Sequence, residues 1–336
     1  MTKSSMRTYR LEELGGASGV TLKEEAIPSP AHGQVLLRVR ASSINFRDII
    51  IANGWYPLPI PVGRVPFSDG AGEVIEVGHG VKRFAVGDRV LGNFFPNLFG
   101  GKYTADTEQW VAHHDGWLTE YKVVDAEAVV AVPEHLSFEE AASLPCAALT
   151  AWSAVKGVRA GDTVLTQGTG GVSLFALQLA KAFGAKVVAT TSSREKAERL
   201  KSLGADHVID YKASPEWGAA VKELCGGSGV DHVVEVGGPE TLTESLKAVA
   251  LGGHISIVGV LAGVAGGIDF MSLFQSQATL RPTVVGNRLD LEEMLRVFDQ
   301  HSIKPVIDNV YEFEDLKSAW DHFAARNVFG KVVIRH

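Results

Sequence analysis

Apolar and polar positions alternate in short runs through roughly the first 131 residues, as in VLLRVRA (Val35–Ala41), GAGEVIEVG (Gly70–Gly78) and DRVLGNF (Asp88–Phe94). Glycine and proline punctuate these runs, a pattern that predicts short strands and a β-rich or mixed domain. Beyond them, continuous apolar runs alternate with helical patterns: TVLTQ then LFALQLAKAF, KVVATT then REKAERLKSL, HVIDY then EWGAAVKEL, DHVVEVG then ETLTESLKAVA, and finally HISIVGV. Apolar strands alternating with helices predict a parallel sheet covered on both faces. TVVGN (Thr283–Asn287) reads as one more strand, at the edge of that sheet. LEEMLRVFDQHSI, DLKSAWDHFAARN and GKVVIRH then return to helices and a last strand. The expected division is 1–131, 132–287 and 288–336.

Composition adds bounds to this picture. A chain of 336 residues, 46% hydrophobic and 21% charged, is long enough for two domains with separate cores. Its formal charge of -7 gives no reason to expect nucleic acid or an anionic membrane as a partner. Ala248–Ile268 carries no Asp, Glu, Lys or Arg, but His254 and several glycines interrupt it, so a buried strand and a glycine loop are expected there and not a membrane span. Two cysteines, Cys146 and Cys225, allow no disulfide framework, and MTKSSMRTYRLEELGG has no apolar core of a signal peptide. A reducing, cytoplasmic setting is the expectation.

The first chemical motif lies in Thr163–Gly184, a strand, a glycine turn and a helix. In Gly168-Thr169-Gly170-Gly171-Val172-Ser173 the first glycine permits the tight turn and the second lets backbone approach a pyrophosphate lying on the helix N-terminus. Ser173 replaces the usual third glycine. Thr191 stands where an acid would normally hold the ribose 2′-hydroxyl, within KVVATTSSREK. An acid there repels a 2′-phosphate, so its absence favours NADP(H) over NAD(H). Thr191, Ser192 and Ser193 can donate to phosphate, and Arg194, Lys196 or Lys181 can supply charge. Ser192 followed three residues later by Glu195 also reads as a helix capping box.

Taken together, NFRDIIIANGWYP, DGAGEVIEVG, GDRV, SLPCAALTAW, GTGGVS, SLGADHVIDY, VVEVGG and GKVVI resemble the medium-chain dehydrogenase/reductase superfamily, in particular its zinc-independent, quinone-oxidoreductase-like members. The resemblance runs nearly end to end. It implies an α/β chain with a GroES-like catalytic domain built from both chain ends, a doubly wound Rossmann domain inserted between them, and an active site in the cleft. Where zinc relatives bind the catalytic ion through Cys, His and Cys, this chain has Asn45, Ser68 and Cys146. The segment that carries a structural zinc in many relatives contains no cysteine, although His113 and His114 lie in it. No zinc is therefore expected.

The same resemblance places Asn45 and Thr150 by the nicotinamide and Tyr56 in the active site, while a second active-site tyrosine of some quinone reductases matches Ile50. It extends the cofactor-binding set to Gly168, Gly170, Gly171, Val172, Gly237, Gly259, Asn287 and Lys331. The expected reaction is hydride transfer from NADPH to a quinone or α,β-unsaturated carbonyl, with Tyr56, Asn45 or Ser68 as hydrogen-bond donors to the developing oxyanion. A zinc-free alcohol dehydrogenase or carbonyl reductase stays open, as does a NADPH-binding structural or regulatory protein with little turnover. Relatives commonly pair edge to edge, so a homodimer is expected.

Overall fold

A computed structural model describes every residue except 1–3, 262 and 264. The chain divides into two compact units, the N-terminal residues through Leu149 with Gly286–His336, and Thr150–Val285. Residues 132–149, expected to open the second domain, pack with the first unit instead. Their helix Phe138–Ala142 lies on strands Gln34–Ser43 and Asp69–Val77, burying Leu136, Ala141 and Ala142.

In the first unit the two chain ends share one sheet. Strands Ile307–Glu312, Lys331–Arg335, Gln34–Ser43, Asp69–Val77, Arg89–Gly92 and Val129–Ala131 lie in that order, and Tyr121–Asp125 pairs with Gln34–Ser43. The C-terminal strand joins antiparallel, with Val333 opposite Ser43. The alternation read from VLLRVRA is realised from Leu37 to Val39, which are buried on either side of exposed Arg38, whereas Val35 and Leu36 are both buried. Trp117 fills the space beside two glycines of this sheet: a Cβ on Gly70 would lie 2.5 Å from its ring and one on Gly92 2.3 Å. These two strands keep glycine because an indole takes the volume of their side chains.

Lys122 is buried in the same core. Its Nζ donates to the Asp115 carbonyl at 2.5 Å and sits 4.3 Å from the Trp110 ring centroid. Burial pushes the ammonium pKa down to about 7, against the attraction of Asp115. Between about pH 7 and the ordinary lysine value near 10.5, the unfolded chain therefore holds a proton that the folded chain lacks. Stability contributed by this site rises with pH across that window. Urea unfolding at pH 7 and pH 9.5 is expected to show Lys122→Met with a smaller pH slope than the parent. Identical slopes would show that Lys122 keeps its ordinary pKa.

The second unit is a six-stranded parallel sheet in the order His207–Asp210, Lys186–Thr191, Thr163–Gln167, Val230–Glu235, Val249–Ile257, Thr279–Pro282. Numbered within the unit this is 3-2-1-4-5-6, the order of doubly wound dinucleotide-binding sheets. The edge strand differs from expectation. TLRP, not TVVGN, pairs with His254–Ile257, and Thr283 N–H closes the ladder on the Ile257 carbonyl at 2.8 Å. The rest of TVVGN is committed elsewhere: the Val285 carbonyl accepts from Ser153 Oγ, Gly286 packs against Leu149, and Asn287 caps the following helix. Pro282 lacks an N–H, which is tolerated in an edge strand. No helix among the described residues is long and apolar enough to cross a membrane.

Candidate functional site

Strand Thr163–Gln167 runs into Gly168, whose φ of 70° is the left-handed geometry that glycine adopts freely. Helix Gly171–Ala182 follows with Gly170 as N-cap. Gly170 itself has an ordinary φ of -76°, and a Cβ built there meets nothing within 4 Å. Neither strain nor crowding requires glycine at this position, and the space beside it is open. The helix N-terminus ahead of Gly171 and Val172 has no acidic residue in its first turn, which suits an anion. Ser173 Oγ donates to the Gln167 carbonyl at 2.6 Å, tying helix to strand where the usual third glycine would let them touch. These features fit a pyrophosphate.

Thr191, the residue expected near the ribose, is buried at the strand terminus, and its Oγ1 accepts the Ser193 N–H at 3.4 Å. The next helix, Arg194–Ser202, is capped by Ser193 accepting the Lys196 N–H, not by Ser192 as the sequence spacing suggested. The offset arises because the strand continues through Thr191, which pairs with Asp210. Ser192 is thereby left outside the cap and Arg194 is exposed. Lys181 is paired within the chain: its Nζ donates to Asp206 at 2.9 Å, and Asp206 also accepts the Val187 N–H.

Glu235, missed from the sequence, ends strand Val230–Glu235 with its carboxylate wholly buried. One oxygen accepts the Gly237 and Gly238 N–H groups at 2.8 and 3.0 Å and the Thr241 hydroxyl. The other accepts Gln167 Nε2 at 2.8 Å and the Ser245 hydroxyl. This acid locks the turn after its own strand to the residue that precedes Gly168. The acid in the middle of VVEVGG was the available signal. Gly237 and Gly259 are fixed by packing here, since a Cβ would lie 2.2 Å from Thr241 Oγ1 and 2.7 Å from the Val236 carbonyl respectively. Thr150 is buried in this unit.

The first unit holds a second constellation. Asn45 is the N-cap of helix Phe46–Ala52. Its Nδ2 donates to Asp69 at 2.9 Å and its Oδ1 accepts Lys331 Nζ at 2.6 Å. Lys331 also donates to the Ile44 carbonyl at 2.9 Å and lies 3.8 Å from Asp69. Lys331 is 2% exposed and belongs to this network. Burial raises the Asp69 carboxyl, opposed by Lys331 and Asn45. Asp48, which accepts the Asn45 N–H, is raised to about 7 chiefly by burial. Asn287 is also committed, accepting the Asp290 N–H and donating to the Gly101 carbonyl at 3.1 Å.

Nearby, Arg47 gathers the other expected site residues. Its Nε donates to the Tyr56 hydroxyl at 3.1 Å, Nη1 to Ser68 Oγ at 2.8 Å, and Nη2 to Gln109 Oε1 and the Trp110 carbonyl at 3.2 and 2.8 Å. The guanidinium lies 4.7 Å from the Tyr56 ring centroid and 5.3 Å from that of Phe94. Tyr56 in turn donates to Gln109 Oε1 at 2.6 Å. Its proton is therefore engaged, and Ser68 is wholly buried. Two strained residues flank the cradle: Phe67, with φ of 71°, precedes Ser68, and Val111, with φ of 74°, follows Trp110. Arg47 and Gln109 were not singled out from the sequence.

Asn45, Ser68 and Cys146 do not fit a catalytic zinc. An amide and a hydroxyl replace two of the usual donors, and burial pushes the Cys146 thiol up, away from the thiolate that zinc requires. Among the described residues no group of three or more His, Cys, Asp or Glu side chains could hold a metal ion. His113 Nδ1 accepts the Gln109 N–H, and His114 Nε2 pairs with Glu108 at 2.8 Å.

Two family models match the chain, the alcohol dehydrogenase GroES-like domain over residues 31–134 and the zinc-binding dehydrogenase over 171–300. A zinc-type alcohol dehydrogenase-like protein of Schizosaccharomyces pombe is 40% identical, covering 96% of this chain and 97% of its own length. A chloroplastic quinone oxidoreductase of Triphysaria versicolor is 32% identical over 95% of each chain. The solved structure of an NAD-dependent alcohol dehydrogenase is similar with a TM-score of 0.92 and 34% identity, covering 98% of this chain and all of that one. With the GroES-like unit, the parallel sheet and the glycine turn in place, the chain belongs to the medium-chain dehydrogenase/reductase superfamily and is a pyridine-nucleotide-dependent oxidoreductase.

Proposed function

We propose that this chain is an NADPH-dependent, metal-independent reductase of quinones or α,β-unsaturated carbonyl compounds. The observation that carries the reading is the replacement at the metal-ligand positions: Asn45 is held between Lys331 and Asp69, and Ser68 lies under Arg47. Conjugation spreads the developing negative charge onto oxygen, so a conjugated acceptor can be reduced with hydrogen bonding in place of a Lewis acid. The bound nicotinamide supplies the hydride. Glycines 168, 170 and 171, with Val172, hold its pyrophosphate, while Thr191, Ser192 and Arg194 receive the 2′-phosphate. In the first unit Asn45 and Tyr56 shape the acceptor's surroundings, with Ser68 buried behind Arg47.

A substrate panel with elemental analysis tests this reading. NADPH oxidation with enones or quinones by protein containing no stoichiometric zinc is the expected outcome. Turnover confined to saturated aldehydes and ketones would favour the carbonyl reductase reading, which the alcohol dehydrogenase relative supports. One zinc per chain, lost with activity on chelation, would overturn the metal-independent chemistry. For the cofactor, titration of nicotinamide fluorescence should give NADPH at least about 10-fold tighter than NADH, with Arg194→Ala weakening NADPH selectively. Equal affinities would remove the argument from Thr191.

The edge strand Thr279–Pro282 pairs on one side only within the sheet, and Phe270, Met271 and Phe274 near it are exposed. A second copy would cover such an edge. The proposed state is a homodimer joined there, in a reducing, cytoplasmic setting. Light scattering giving a monomer mass at working concentration would contradict it.

A further inference from the structure

We propose that Arg47 is the catalytic electrophile, donating a hydrogen bond from Nη1 to the acceptor's carbonyl oxygen as negative charge develops there. The inference rests on the reductase reading above and names the group that does its electrostatic work. A guanidinium carries five N–H donors, and four of Arg47's are assigned, to Tyr56, Ser68, Gln109 and the Trp110 carbonyl. The fifth, on Nη1, meets no acceptor among the described residues. Arg47 is half-buried, whereas Ser68 behind it is wholly buried. The alternative donors are already committed: the Tyr56 proton goes to Gln109, and the Asn45 amide is engaged at both ends.

The surroundings hold this cation in one orientation. Its partners fix three of its nitrogens, two aromatic rings flank it, and the backbone carrying Ser68 and Trp110 is strained next to each, at Phe67 and Val111. Strain of this kind persists where the surrounding structure over-determines it, commonly at functional sites. Tyr56, Ser68 and Gln109 become positioning residues that aim the fork.

The step balances. Hydride adds to the acceptor's β-carbon, forming a C–H bond, while the C=C pair shifts towards the carbonyl carbon and the C=O pair moves onto oxygen. The enolate stabilised by Arg47 then takes a proton from water at its α-carbon, leaving the saturated carbonyl compound and NADP+. A preorganised, charged donor at the oxyanion is worth roughly 10²–10³ in kcat.

The test compares the parent with Arg47→Ala, Arg47→Lys and Tyr56→Phe at saturating NADPH, on the best enone or quinone of the panel, with a deuteride isotope effect showing that the chemical step limits. Arg47→Ala is expected to lose at least about 100-fold in kcat while NADPH affinity stays within about threefold, and millimolar guanidinium chloride should restore part of the loss. Tyr56→Phe should lose less than about 10-fold, because it loosens the fork without removing it. If Arg47→Ala does not fold, Arg47→Lys decides, with a loss of at least about 10-fold expected for the missing fork. An arginine that only clamps the loop predicts a lowered thermal midpoint, kcat within about threefold of the parent and no rescue, and that result overturns the proposal. A parent enzyme that reduces only saturated aldehydes refutes the enone reading. The same kcat comparison on the aldehyde then still decides Arg47, because that reduction also places charge on oxygen.

Discussion

Gly170→Val is expected to bind NADPH at least about 100-fold more weakly while remaining folded. The backbone there has φ of -76°, which valine adopts without strain, and its side chain would enter space that no chain atom occupies within 4 Å of the Cβ. The cost to the fold is confined to a poorer N-cap, about 1 kcal/mol. The pyrophosphate that needs close backbone approach would instead meet an isopropyl group. Circular dichroism melts and a nicotinamide fluorescence titration separate the two effects. Unchanged affinity would mean that the glycine turn holds no cofactor. Gly237→Val provides the contrast, because its Cβ would clash with Thr241 at 2.2 Å and the loss should fall on folding first.

Glu235→Ala is expected to destabilise the nucleotide-binding unit by about 3–5 kcal/mol, the range for breaking a buried polar network. The substitution strips the acceptor from two backbone amides, two hydroxyls and Gln167 Nε2 in a place without solvent. Glu235→Gln keeps one acceptor oxygen and should lie between. The turn Gly237–Gly238 loses its anchor in both, so weaker NADPH binding is expected even where the variant is folded. Urea unfolding followed by tryptophan fluorescence reads the first effect, helped by the buried Trp217 of this unit. A change below about 1 kcal/mol for Glu235→Ala would show that water replaces the carboxylate at little cost.

Legibility in the sequence followed the range over which each interaction acts. Runs such as KVVATT announced their strands because burial on both faces leaves a local signature in the chain itself. The glycine turn was legible for the same reason, as its backbone requirements lie within a few residues. TVVGN has the stronger strand composition, yet TLRP became the edge strand, since the choice depended on alignment with His254–Ile257. Ser192 and Ser193 are equally good caps by composition, and the extra strand residue Thr191 selected the second. Arg47 was hidden by distance: its partners lie 9, 21, 62 and 63 positions away. Glu235 likewise meets Gln167 across 68 positions. The intrachain partners of Lys331 and Lys181 were hidden too, because a positive charge in a sequence does not reveal the carboxylate or carbonyl it meets in the fold.

In the proposed reaction a conjugated acceptor is reduced by NADPH with hydrogen bonding in place of a metal. Its most direct measurement is the initial rate of NADPH oxidation with enones and quinones, using chelator-treated protein whose zinc content has been determined on the same sample. Undiminished turnover at well under one zinc per chain is the expected result. Activity that disappears with the chelator and returns with added zinc would contradict it.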